Sequence, residues 1–340
     1  MKSDTLILNE KKHVSLTCYI HDDSPEYGGN KYRPAILVLP GGGYSFCSDR
    51  EAEPVALAYA GAGYNAFVLR YTLKTVEGWP AQLNDYEHAM ETIKRRAEEW
   101  GTDIDRIAVA GFSAGGHLAA CAATIAKNKP TAAILGYAAL RKETVAICGK
   151  SFPCPLDLVD GDTAPCFLFG TRNDNVAYVQ NTIEFTSKLV QHGISFESHI
   201  YSYGPHGFST GSRQLNSAPI TDRARNWIND SLGWLEELWG ARTFTGYTEP
   251  TCEKRVNADA GYYLSADCTY AYLLAQGNEA LQAMEPIIEK FEAKRKTFSS
   301  DILMDVIGQW KLSDLMPALG FTAQEIENAD MRLKNIVNKK

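Results

Sequence analysis

The chain has 340 residues, 45% of them hydrophobic and 22% charged, with a formal net charge of −7. That length supports one large α/β domain with a smaller one beside it, and the negative balance argues against nucleic acid or an anionic membrane surface as partner. No uninterrupted run of about eighteen apolar residues marks a membrane span.

The start, "MKSDTLILNEKKH", is too charged and its apolar run too short for a secretory signal core, so a cytoplasmic location is expected. Eight cysteines (18, 47, 121, 148, 154, 166, 252 and 268) include no CxxC pair and no zinc spacing with histidine. Reduced, mostly buried thiols and no metal are expected.

In chain order, "TLIL", "SLTCYI" and "PAILVLP" are β-rich runs. "LPGGGYSF" (39–46) follows the third. Consecutive glycines let the backbone approach a ligand and turn its N–H groups inward. In acyl transfer this is where half of an oxyanion hole belongs, and Gly42 and Gly43 are the candidate donors; the alternative is a flexible turn. "YNAFVLRY" reads as a strand and Ala81 to Trp100 as an amphipathic helix.

"RIAVAGF" is a strand and Ala114 to Lys127 a helix, and Gly111-Phe112-Ser113-Ala114-Gly115 between them fits G-x-S-x-G. A sharp strand-to-helix turn holds the central residue in strained backbone geometry and lifts its hydroxyl clear of the sheet edge. The helix N-terminus behind it offers free N–H groups, with Ala114 as the second oxyanion donor. A phosphate-binding turn is the alternative, but G-x-x-x-x-G-K-[ST] is absent.

"TAAILGY" and "PCFLFG" are further strands, and Val176 to His192 is a helix. Asp174, in "FLFGTRNDNVAYVQN", occupies the loop after a late strand, where a triad acid belongs; helix N-capping is its alternative role. Neighbouring Asn173 cannot supply the charge that stabilises an imidazolium, and Asp162 precedes its strand, at the wrong end of the sheet. "SFESHIYSY" is the last strand, and His206 follows it in "YSYGPHGFST". Of seven histidines only His206 lies in a late loop with flexible neighbours. His199 falls within the strand, and His117 sits one turn into the helix, where it packs or hydrogen-bonds beneath the loop. Ser113, Asp174 and His206 occur in the chain order of a nucleophile–acid–base triad.

Ile220 to Trp239 is the last helix of this part. Strands alternating with helices, the central strands almost wholly apolar, predict a three-layer α/β fold over residues 1–245 with a mostly parallel sheet. "GARTFTGYTEPTCEK" is a candidate linker, and residues 250–340 read as a small helical appendage. Ser265 and Ser313 are candidate caps there, Thr322 and Glu325 have capping-box spacing, and Pro286 opens a helix. Its apolar positions Ile302, Leu303, Val306, Ile307, Ile326, Met331, Leu333 and Ile336 need cover from the other tail helices together with the first domain or a second subunit, which would make a homo-oligomer.

Together, "PGGGYSF", "DREAEPVA", "GYNAFVLRYTL", "DIDRIAVAGFSAGGHLAA", the D-N-V stretch and "HGF" resemble the α/β-hydrolase superfamily. Within it they are similar to the bacterial carbohydrate-esterase-like group of acetylxylan and hemicellulase-associated esterases. Pro40 stands where lipase-type relatives carry histidine, as is common in that group. The resemblance implies a serine esterase that needs no cofactor and removes acetyl groups from sugars or xylo-oligosaccharides through an acyl-enzyme. Tyr44, Trp79 and Phe208, with Phe46 and Tyr203, are aromatics near the motifs that would stack on sugar rings or else pack the core. A serine peptidase or amidase of the same fold, and a non-catalytic interaction protein, are the competing readings.

Overall fold

The computed structural model describes residues 1–27, 30–252, 263–295 and 307–338. The chain divides into two compact units, Met1–Leu189 with Ile194–Lys254, and Val190–Gly193 with Arg255–Lys340.

The first unit runs β1 (Lys2–Asn9), β2 (Val14–Ile20), β3 (Arg33–Leu39), α1 (Glu53–Gly61), β4 (Asn65–Arg70), α2 (Ala81–Arg95), α3 (Ala97–Trp100) and β5 (Thr102–Phe112). It continues with α4 (Ala114–Ile125), β6 (Ala132–Gly136), α5 (Lys142–Val145), β7 (Cys166–Thr171), α6 (Gln180–Gln191), β8 (Phe196–Tyr201) and α7 (Trp227–Trp239). The eight strands form one sheet in the order β1-β2-β4-β3-β5-β6-β7-β8. β1 and β2 join antiparallel, β2 joins β4 antiparallel, and the rest of the sheet is parallel.

Successive side chains of a strand point to opposite faces, so a doubly covered strand feeds two cores. Leu37 and Leu39 of β3 and Val109 of β5 enter one core, built with Tyr86, Met90 and Ile93 of α2, Leu118 of α4, and Phe185 and Leu189 of α6. Ile36, Val38, Ala108, Ala110 and Phe112 enter the other, with Val55 and Tyr59 of α1 and Trp227, Trp234 and Leu235 of α7. Each such fully buried large side chain contributes about 1.5–3 kcal/mol.

The expected strands are all present, with adjusted ends. The helix expected over Ala81 to Trp100 is two helices that meet at Arg96, whose φ of −97° and ψ of 9° break the first. α7 starts at Trp227, after a 3-10 turn over Asp222–Asn226, rather than at Ile220. α1 was not among the expected elements; its segment EPVALAYAG is apolar on nearly every face, so no helical stripe stands out. Residues read as a linker are bonded to the first unit: Thr251 N–H donates to the Glu237 carbonyl at 2.8 Å, and the Arg106 guanidinium lies 3.7 Å from the Tyr247 ring centroid.

The second unit contains α8 (Tyr270–Leu274), α9 (Asn278–Ala283), α10 (Glu285–Arg295), α11 (Leu312–Ala318) and α12 (Ala323–Leu333). Leu264, Tyr270, Leu273, Met284, Ile287, Phe291, Leu315 and Leu333 pack into its own core. Ile307, Ile326 and Ile336 pack at the edge of that core, and Met331 is exposed. Ile302, Leu303 and Val306 lie outside the described residues. The Thr322–Glu325 capping box forms, and Pro286 is the second residue of α10. Ser265 and Ser313 are not caps: Thr269 precedes α8, and Lys311 precedes α11 with Ser313 already inside the helix.

Candidate active site

The site begins where β5 turns into α4. Ser113 has φ 53° and ψ −115°, a left-handed backbone that a non-glycine residue adopts only under constraint. Its N–H donates to the Gly136 carbonyl at 3.1 Å, and its carbonyl accepts from His117 and Ala139, each at 3.0 Å. Side chains at the flanking glycines would collide with backbone: a Cβ on Gly111 would lie 2.2 Å from the Gly115 carbonyl oxygen, and one on Gly115 would lie 2.0 Å from that of Leu39. The G-x-S-x-G spacing is therefore a packing requirement of the turn.

His206, in the loop after β8, lies 2.8 Å from Ser113 Oγ through Nε2 and 2.7 Å from Asp174 Oδ2 through Nδ1. A carboxylate only accepts, so Nδ1 carries the proton and Nε2 is left to accept from the serine hydroxyl. Asp174 Oδ1 accepts from the Val176 and Ala177 N–H groups at 2.8 and 2.9 Å. The Asp174 side chain is 2% exposed against 18% for His206, so the carboxylate is sealed from water while the imidazole remains reachable. Asn173 accepts from Gly204 N–H at 3.0 Å and braces the histidine loop from the acid loop. Asp162 is exposed, and its N–H is held by Asp160 at 3.0 Å in the turn before β7.

Gly42 and Gly43 follow β3 with φ of 126° and 60°, and Ala114 opens α4. Among the described residues none of these three N–H groups is bonded to a protein acceptor. Gly42 instead turns its carbonyl toward the Ser45 and Phe46 N–H groups, at 2.9 and 3.4 Å, which closes the loop on itself.

Two of the three proposed lining residues are core. Tyr44 and Phe208 are both 0% exposed, and a ring that water cannot reach cannot receive a sugar. Tyr44 gives its hydroxyl proton to His117 Nδ1 at 2.7 Å, and Phe208 packs on Tyr137 and Phe169. Trp79 is half-buried, edge-on to His117 and tilted against Phe152. Phe46 and Tyr203 present exposed rings, at 59% and 46%. His117 is fully buried, donates from Nε2 to the Pro153 carbonyl at 2.8 Å, and is pushed by burial down to about 4, so it is neutral.

The sequence reading missed Glu51, Tyr137 and Ser209. Glu51 is 2% exposed and accepts from Gly41 N–H and from the Tyr137 hydroxyl, each at 2.8 Å; the Tyr137 oxygen accepts from Ser209 N–H at 2.9 Å. Backbone conformation is a common mark: Tyr44, Ser113, Tyr137 and Ser209 are four of the five non-glycine residues with positive φ among those described. No local sequence signal marks such positions in tyrosine or serine. Among the described residues no group of three or more His, Cys, Asp or Glu could hold a metal ion, and no helix is long and apolar enough to cross a membrane.

A family model described as BD-FAE matches residues 23–232. The solved structure of MGS-M1, an alpha/beta hydrolase enzyme from a Medee basin deep-sea metagenome library, is 39% identical with a TM-score of 0.64, covering 70% of this chain and 97% of that one. Endo-1,4-beta-xylanase B of Butyrivibrio fibrisolvens is 28% identical over 233 residues, 60% of this chain and 36% of that protein. An acetylxylan esterase of Xylanibacter ruminicola is 24% identical over 249 residues, 67% of this chain and 50% of that protein. The chain thus spans half or less of the length of these two curated relatives.

Proposed function

The chain belongs to the BD-FAE family, and from that premise we propose that it is a serine carboxylic-ester hydrolase that removes acetyl groups from sugars or xylo-oligosaccharides. The observation that carries this reading is the continuous relay from Ser113 through His206 to a buried Asp174, with contacts of 2.8 and 2.7 Å. Ser113 Oγ attacks the ester carbonyl carbon while His206 Nε2 takes its proton. Asp174 holds the Nδ1–H tautomer and stabilises the imidazolium. The N–H groups of Gly42, Gly43 and Ala114 receive the oxyanion. Collapse of the tetrahedral adduct expels the alcohol, which leaves with the proton from Nε2, and water repeats the sequence on the acyl-enzyme.

The acetylated-sugar substrate rests on the acetylxylan esterase and xylanase among the similar proteins. The exposed rings of Phe46 and Tyr203 are the aromatic surface on offer to a sugar. The test sets p-nitrophenyl acetate beside a p-nitroanilide and acetylated xylo-oligosaccharides, with Ser113→Ala as control. Ester turnover without anilide turnover is expected, and the serine variant should lose on the order of 10⁴–10⁶ in kcat while staying folded. A Ser113→Ala enzyme of near-wild-type rate would remove the reading, and anilide turnover would shift it to an amidase.

A further inference from the structure

Glu51 takes no direct part in that relay. It closes a short 3-10 turn, Asp49–Glu51, ahead of α1, and its two carboxylate oxygens face different catalytic segments. Oε2 accepts from Gly41 N–H, immediately before the glycines of the oxyanion loop. Oε1 accepts from the Tyr137 hydroxyl, beyond the end of β6. The Tyr137 oxygen in turn accepts from Ser209 N–H, three residues after His206, and its ring stands edge-on to the His206 imidazole at 5.2 Å. Ser209 Oγ also donates to the Arg50 carbonyl, next to Glu51 in the chain.

The polarity of this network is determined. Ser209 N–H occupies the Tyr137 oxygen as donor, so the tyrosine proton goes to Glu51; Gly41 N–H is a donor by nature. Both carboxylate oxygens accept, which suits an ionised group. Burial, the larger influence, raises the Glu51 carboxyl above its ordinary value, and the Tyr137 and Gly41 bonds offset part of that rise. The peptide at Gly41 is wedged between this carboxylate and the nucleophile: a Cβ there would lie 2.7 Å from Glu51 Oε2 and 2.9 Å from Ser113 Cβ. Tyr137 and Ser209 have φ of 34° and 53°, and strained conformers persist only where their surroundings over-determine them.

We propose that Glu51 is a positioning residue for the hydrolysis, a buried carboxylate that ties the oxyanion loop at Gly41 and, through Tyr137 and Ser209, the His206 loop to one point beside Ser113. The inference rests on the serine-hydrolase reading above. It assigns to Glu51 the distance between donors and base, which acyl transfer needs to within a fraction of an ångström.

Glu51→Gln keeps the shape but turns an amide N–H₂ toward one of the two donors. Kinetics on p-nitrophenyl acetate, expressed per serine titrated with an organophosphonate ester, should show kcat down about 10- to 100-fold with KM within about twofold. Tyr137→Phe retains the ring on His206 and cuts the link, so its loss should be smaller. The double variant should be no slower than Glu51→Gln alone, because both cut one path. A purely structural role would lower Tm and leave kcat per titrated serine unchanged. That outcome, or losses that multiply in the double variant, would overturn the proposal. If Glu51→Gln does not fold, Tyr137→Phe decides alone: a lowered kcat supports the tie and an unchanged one refutes it. A wild type inactive on esters, or an active Ser113→Ala, would overturn the underlying reading and this inference with it.

Discussion

Asp174 and Asp162 show how little a residue's type says about its work. Both precede or follow the same strand, β7, yet Asp174 is 4% exposed with both oxygens occupied, while Asp162 is exposed in a turn. The difference is the end of the strand: in a parallel sheet the carboxyl ends gather the catalytic loops. Asp174→Asn should therefore lose about 10³–10⁴ in kcat, because the amide cannot hold the Nδ1–H tautomer with a full charge. Asp162→Asn should leave kcat unchanged. Steady-state kinetics on a short acetyl ester separates them, and a larger loss at Asp162 would refute the assignment.

At the scale of one element, α4 carries two jobs on one helix. Its N-terminus presents Ser113 and Ala114, and one turn later His117 closes the space beneath the glycine loop, bonded to Tyr44 and to the Pro153 carbonyl. His117 is buried and neutral, with its folded value depressed to about 4 from an ordinary 6.5. The sign follows: between these values the unfolded chain binds the proton and the folded one does not, so stability falls as pH falls. The contribution is fully present above about pH 6.5, and roughly 2 kcal/mol of it is gone by pH 5. Urea unfolding at pH 7 and pH 5 should show that extra loss in the wild type and not in His117→Asn. Equal pH slopes for the two proteins would show that folded His117 takes up its proton over the same range as in the unfolded chain.

For the whole molecule, the relay residues and both candidate oxyanion segments lie within residues 1–254, and the remaining helices bury their own core of Leu264, Met284, Phe291, Leu315 and Leu333. Cutting at Gly240 would remove the Thr251–Glu237 bond and the Tyr247 ring under Arg106, so Lys254 is the natural end for a truncated enzyme. That enzyme should remain folded with kcat on p-nitrophenyl acetate within a few-fold of the full chain, since each unit has an independent apolar core. Light scattering and kinetics on it read oligomeric state and rate separately. A folded product with lost kcat would give the helical unit a part in catalysis.

Periodicity and local turn chemistry were enough to mark the strands, the three-layer architecture, and Ser113, Asp174 and His206 as candidates. Those signals are local: apolar runs make strands, and G-x-S-x-G makes a turn because neither of its two glycines has room for a Cβ. Tyr44 and Phe208 read as site aromatics because they neighbour the motifs, yet a neighbour in sequence on a turn points the opposite way in space, and both rings went into the core. Glu51 lies in the resembling stretch "DREAEPVA", but nothing along the chain gave it a role. Its meaning comes from Gly41, Tyr137 and Ser209, which stand 10, 86 and 158 positions away along the chain and meet it only once β3, β6 and the loop after β8 are side by side. A hydrogen bond between distant segments leaves no mark on either one, so the candidate triad could be read along the chain and the carboxylate behind it could be found only in the folded sheet.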